Sequence, residues 1–125
     1  MTRQAITTDK IAPSVGPFSA AVKAGGVIYV SGQVALDPKT GKLITGDVSA
    51  QTEQIFTNLK AVLDSAGKSL ADAARVGVYL TSMGDFAAMN AVYAKHFAAP
   101  YPARTTIGVA ALPLGASVEI DMVVH

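Results

Sequence analysis

Apolar residues recur at helical spacing in only two stretches of this chain. The first holds Val48, Ile55, Leu59, Val62 and Leu63, with Ser49 as the expected cap at its start and Gly67 as its expected stop. The second covers about residues 85–97, with Phe86, Met89, Tyr93 and Phe97 on one stripe, and Pro100 and Pro102 beyond it. Between and around them the pattern is that of strands. Two helices can cover one face of a sheet. The other face is then bare in a single subunit, so the pattern predicts subunits that pack sheet to sheet.

The strands are read as follows. Val22-Lys23-Ala24-Gly25-Gly26-Val27-Ile28-Tyr29-Val30 places two glycines between β-prone runs, the mark of a tight hairpin whose turn needs positive φ. Its second strand runs into Ser31-Gly32-Gln33, and residues 37–42 form a loop rich in turn formers. A weak strand lies near Ile6. Residues 75–81, 105–110 and 117–124 read as three more, the last two joined by Leu112-Pro113-Leu114-Gly115-Ala116. The unit from Arg75 to Ala110 predicts a right-handed parallel crossover, and the hairpin is antiparallel. The expected fold class is therefore α+β, a mixed sheet of about six strands with both helices on one face, in a single domain spanning 1–125.

Composition agrees with a buried second face. Half of the residues are hydrophobic and 15% are charged, against about 25% in an ordinary soluble domain. Net charge is +1, and the lysines and arginines are scattered along the chain, so no nucleic-acid partner is expected. The absence of cysteine excludes disulfides and thiolate chemistry. No apolar stretch approaches the ~20 residues of a membrane span, and the first ten residues lack the apolar core of a signal peptide. A cytoplasmic location and no membrane partner are expected.

Against this apolar background two side chains stand out. The chain has three arginines and two glutamates. One of each falls in the C-terminal region, Arg104 in Pro102-Ala103-Arg104-Thr105-Thr106 and Glu119 in Ala116-Ser117-Val118-Glu119-Ile120. A guanidinium offers a planar fork for a carboxylate, and a glutamate can accept and donate a proton. Strand alternation puts Val118, Ile120, Met122 and Val124 on the core side and Glu119 and Asp121 on the other. Thr105, Ile107 and Val109 are taken as the core set of the preceding strand. Arg104, Thr106 and Gly108 then face away from the helices, on the same side as Glu119. The two strands are either neighbours or separated by one other; both arrangements leave room for a small acid between Arg104 and Glu119. From pattern alone the commoner readings are a surface or interface arginine paired with an acid and a solvated glutamate on an edge strand, with Asp121 a bystander. No metal or other cofactor is expected: His96 and His125 form no ligand set with the scattered acids. A phosphate loop and a Gly-x-Ser-x-Gly elbow are both lacking.

The chain resembles the Rid/YjgF proteins, the reactive-intermediate deaminases, over nearly its whole length. The likeness runs through Val15-Gly16-Pro17-Phe18-Ser19, Tyr29-Val30-Ser31-Gly32-Gln33, Gln51-Thr52 with Asn58-Leu59-Lys60, and Asp85-Phe86 with Asn90, Tyr93 and Phe97. It ends with Pro102 to Thr106, Leu112-Pro113 and Val118-Glu119-Ile120; the order and spacing of these pieces are specific where no single piece is. The resemblance implies a chorismate-mutase-like subunit in a homotrimer, with clefts between subunits. It implies hydrolysis of 2-imino acids and their enamine tautomers, such as 2-aminoacrylate and 2-iminobutanoate, to 2-keto acids and ammonia, without a cofactor. The suppliers of such substrates are pyridoxal-phosphate dehydratases. By the same resemblance Arg104 binds the substrate carboxylate, Glu119 handles water and protons, and the backbone at Thr106 faces the imine nitrogen. Phe18, Ser31, Gly32 and Asn90 match cleft positions, with Phe18 coming from the neighbouring subunit. The chain has Phe18 and Thr106 where many members have tyrosine and cysteine, and Ala20 where glutamine is common. Two other readings follow from the family: a carboxylate-binding regulatory trimer without turnover, and an RNA-directed translation inhibitor or endoribonuclease.

Overall fold

The computed structural model describes residues 2–125. In it β1 (Gln4–Ile6), β2 (Ala21–Ala24) and β3 (Val27–Gln33) are followed by α1 (Val48–Ser65), β4 (Ala73–Leu80), α2 (Phe86–His96), β5 (Ala103–Gly108) and β6 (Val118–Val124). The six strands form one mixed sheet in the order β1-β2-β3-β6-β4-β5. All neighbours are antiparallel except β4 and β5, which are parallel and joined through α2.

Local chemistry accounts for the element ends. Gly25 and Gly26 take φ of 58° and 80°, the left-handed pair that a two-residue hairpin turn requires, and Ala24 pairs with Val27 across it. The first helix starts one residue before Ser49. Its cap is Asp47, whose Oδ1 accepts from the Ala50 amide at 3.0 Å; a carboxylate at this position also meets the positive end of the helix dipole. Gly67, at φ 71°, ends the helix, with the Lys68 amide returning to the Leu63 carbonyl at 2.9 Å.

The core lies between the helices and one sheet face. Ile55, Phe56, Leu59 and Leu63 of α1 meet Val76, Val78, Val118 and Ile120 of the central strands, all with no exposure. Burying each such side chain contributes about 1.5–3 kcal/mol. Phe56 is also the hinge between the helices: its ring makes edge contacts with Tyr93 and Phe97 and stacks on His96. Three polar side chains of α1 are buried as well, and each has partners. Gln51 accepts from the Ser117 amide at 2.9 Å and donates to Gly46, fixing the start of β6. Asn58 donates to the Leu36 carbonyl, and Thr52 to its own helix. The opposite sheet face carries no helix; Tyr29 and Ile107 are nearly half exposed on it.

A second expectation, the face of β5, also fails. Thr105 and Ile107 are not the core side of β5. Arg104, Thr106 and Gly108 pair with Val76, Val78 and Leu80, which face the helices. Residues paired across strands share a face, so Arg104 and Thr106 lie on the helix side. β5 is an edge strand at the margin of helical cover. There a polar set can be tolerated inside and Ile107 outside, and alternation by itself does not say which set is which.

Candidate active site

Arg104 reaches under α2. Its Cζ lies 4.6 Å from the centre of the Tyr93 ring and 5.7 Å from that of Phe86, distances at which aromatic faces attract a guanidinium. Among the described residues no carboxylate lies within ion-pair distance of it. With Asn90, Tyr101 and Pro102 it lines a hollow of about 310 Å³. Two hydroxyls beside it, Tyr93 Oη and Thr106 Oγ1, are buried without a hydrogen-bond partner. Such groups are uncommon and call for a partner the subunit does not supply, whether a water, a ligand or another copy. Burial raises the Tyr93 pKa, opposed by the positive charge of Arg104. The Tyr93 hydroxyl makes no well-formed hydrogen bond in the subunit beyond the approach of the Arg104 guanidinium, so Tyr93→Phe is expected to change stability by less than about 1 kcal/mol. Thermal unfolding checks this; a loss above about 1 kcal/mol means that the hydroxyl is bonded in solution.

Glu119 occupies the other face. It pairs with Tyr79 of β4, and its carboxyl lies against Gly32 of β3, where a β-carbon would overlap the carboxylate. Glycine at 32 is thus a steric requirement of the seated glutamate. The pairing of β3 with β6 shifts register between Val30 and Gln33, at the segment that lies against Glu119. Ser31 does not point at the glutamate; its hydroxyl donates to the Ser19 carbonyl at 2.6 Å and fastens the loop that carries Phe18. Phe18 is 54% exposed and, with Gly32, Leu114 and Glu119, borders an apolar hollow of about 260 Å³. Burial, and secondarily the charge of Asp121, raises the Glu119 pKa above the ordinary carboxylate value, so the group is suited to deliver a proton.

The residues singled out from the sequence therefore gather in two groups. Arg104, Thr106 and Asn90 lie together on the helix side at the β5 edge. Glu119, Gly32, Ser31 and Phe18 lie together on the open side. The expectation that Arg104 and Glu119 share a face is overturned by the β4–β5 register. β4 runs between their strands, and strand spacing puts them roughly 14 Å apart along the sheet. Three further residues carry no such signal in the sequence. Tyr93 fits the core stripe of α2 and nothing more. Leu114 takes φ 61° while 67% exposed, a left-handed conformation that is strained for a non-glycine residue and concentrates at functional sites. Tyr79 donates to Asp121 at 2.9 Å, which makes Asp121 more than a solvated bystander.

A family model described as Endoribonuclease L-PSP matches residues 8–125. The chain belongs to the Rid/YjgF family. The crystal structure of RidA from an Antarctic Psychrobacter is 46% identical, with a TM-score of 0.93 and 98% of each chain covered. A Dermatophagoides farinae protein named 2-iminobutanoate/2-iminopropanoate deaminase is 38% identical over 99% of this chain and 98% of its own. A Thermotoga maritima structure described as a putative endoribonuclease is 40% identical, with a TM-score of 0.93, covering 97% of this chain and 95% of that one. The mixed six-stranded sheet with two helices is thus the fold of solved Rid/YjgF structures. Among the described residues no helix is long and apolar enough to cross a membrane, and no three acids or histidines gather as a metal site.

Proposed function

We propose that this protein hydrolyses 2-imino acids and their enamine tautomers, 2-iminobutanoate and 2-aminoacrylate among them, to 2-keto acids and ammonia, at sites completed between copies of the chain in a homotrimer. The observation that carries this reading is the division of the candidate residues into two open halves on opposite sheet faces. One half holds an arginine without a carboxylate partner beside unpaired hydroxyls. The other holds a glutamate whose pKa is raised by burial. Each half lacks what the other offers, and a second copy can supply it. The relative from Dermatophagoides farinae named for this activity adds support.

In this mechanism Arg104 takes the substrate carboxylate in two-point contact, with Asn90 and Thr106 beside it. Glu119 of the neighbouring copy orients water against the imine carbon. The water oxygen bonds to that carbon and a proton passes to the nitrogen. Glu119 then protonates the amine as the C–N bond breaks, and it recovers a proton from the new hydroxyl, which becomes the keto oxygen. Phe18, Gly32 and Leu114 bound the apolar side that receives the substrate side chain. A general acid of this kind contributes about 10²–10⁴-fold, which suffices for a bond that also hydrolyses unaided. No cofactor takes part, and pyridoxal-phosphate dehydratases in the cytoplasm would supply the substrates.

The test is a coupled assay in which a dehydratase generates 2-aminoacrylate and keto-acid release is followed with and without this protein. Acceleration that saturates with substrate supports the reading. Saturable binding of the acid with no faster release would make the protein a carboxylate sensor instead.

A further inference from the structure

The open sheet face carries a second carboxylate that the mechanism above does not use. Asp121 is two residues from Glu119 on the same strand and the same face. The two acids are seated alike. Glu119 lies over Gly32 of β3, and Asp121 lies over Gly77 of β4, where a β-carbon would overlap its carboxylate and come within 2.9 Å of Tyr79 Oη. Tyr79, the residue paired with Glu119, reaches diagonally to donate to Asp121 at 2.9 Å. That bond is the main reason the Tyr79 pKa is raised, with burial second, so the phenol stays protonated and remains a donor. One tyrosine therefore lies beside the first acid and anchors the second.

We propose that Asp121 is a positioning residue for Glu119: Tyr79 and Gly77 fix its carboxylate one row away on the open face, where its negative charge favours the protonated form of Glu119 that delivers a proton to the departing nitrogen. This rests on the deaminase reading. The step balances: the Glu119 proton goes to the amino nitrogen as the C–N bond breaks, the bonding pair leaves with ammonia, and the hydroxyl proton of the addition intermediate returns to Glu119 as the C=O bond forms. Two arginines share this face: Arg3 borders Tyr29 at its far side, and the charge of Arg75 opposes that of Asp121 at Tyr79, where the Asp121 bond prevails. From β4 come Tyr79 and, one row beyond Asp121, the exposed Arg75, which makes no ion pair with it. β3 contributes Tyr29, opposite Val123. β5 contributes Thr105 and Ile107, beside Gly77 and Tyr79. The Phe18 loop and Leu114 bring no charged group to the Glu119 hollow.

A rate that needs protonated Glu119 falls as pH rises through its pKa. Asp121→Asn removes the neighbouring charge and is expected to move that fall to lower pH by about half a unit or more, a loss of about threefold at a pH above the limb. Asp121→Glu keeps the charge and is expected to keep the limb. Carboxyl-carbon NMR titration of Glu119 is run on the same folded variants, because it reads the coupling without substrate. A Glu119 titration in Asp121→Asn within about 0.2 unit of wild type overturns the proposal. So does a pair of variants that both lose melting temperature while the pH profile stays put, since that is the behaviour of a merely structural pair. Absence of wild-type turnover overturns instead the deaminase reading, and the titration still decides the coupling.

Discussion

Replacing Arg104 by alanine is expected to remove saturable deamination of 2-iminobutanoate while leaving the subunit folded. The guanidinium is held by the faces of Tyr93 and Phe86 rather than by an acid. Truncation therefore costs the fold about 0.5–2 kcal/mol of cation–π contact and leaves no buried carboxylate stranded. The substrate loses far more. A charge-assisted two-point contact in a shielded site is worth about 2–5 kcal/mol, or roughly 30- to 5,000-fold in kcat/KM. Lysine is expected to restore little of it, because an ammonium is a point donor without the planar fork and stacks less well on Tyr93. Steady-state kinetics on the two variants, with circular dichroism to confirm folding, check this. Wild-type kcat/KM in Arg104→Ala removes Arg104 from the site.

Most of the frame around that arginine is legible in the sequence. The Gly25-Gly26 turn, the two helices, the parallel crossover and the alternation of β6 all follow from the sequence pattern, because a turn or a period is set by residues close in sequence; the cap of α1 is Asp47 rather than Ser49. The face of β5 was not legible. Thr105 and Ile107 look like the core set, yet β5 aligns with β4 so that Arg104 and Thr106 join Val76 and Val78. That register is a long-range property of an edge strand, and a one-residue slip reverses it. The same limit hid Tyr93, Tyr79 and Asp121. A hydroxyl without a partner, or a phenol reaching an acid 42 positions away in the chain, leaves no mark in sequence spacing. Leu114 was legible only as part of a turn, since nothing in Leu112-Pro113-Leu114-Gly115 says that the leucine rather than the glycine alone takes a left-handed conformation.

The placement of Arg104 and Glu119 on opposite faces also makes the function testable by mixing chains. If Arg104 and Glu119 shared a face of one subunit, a chain lacking either would be inactive in any company. Placed on opposite faces, they act together only when different copies supply them. Glu119→Gln is expected to lower kcat by about 10²–10⁴-fold with little change in KM. It also carries a stability signature. Burial raises the Glu119 pKa, so the stability its protonated form contributes is present at low pH and is lost as pH rises through the raised value. A permanently neutral glutamine escapes that loss, and the variant is expected to melt higher than wild type at neutral pH and equally in acid. The gain stays below about 1 kcal/mol because the side chain is only half buried. Chains carrying Arg104→Ala and chains carrying Glu119→Gln, each inactive alone, are then refolded together in equal amounts. In a closed ring with one Arg104 and one neighbouring Glu119 per site, random assembly gives about one site in four both intact residues. Recovery of about a quarter of wild-type activity is expected, and it vanishes when either variant is in large excess. A mixture as dead as its components would mean that no site is shared between copies, and the two half-sites described here would have to be joined within one chain by a movement of the β5 edge.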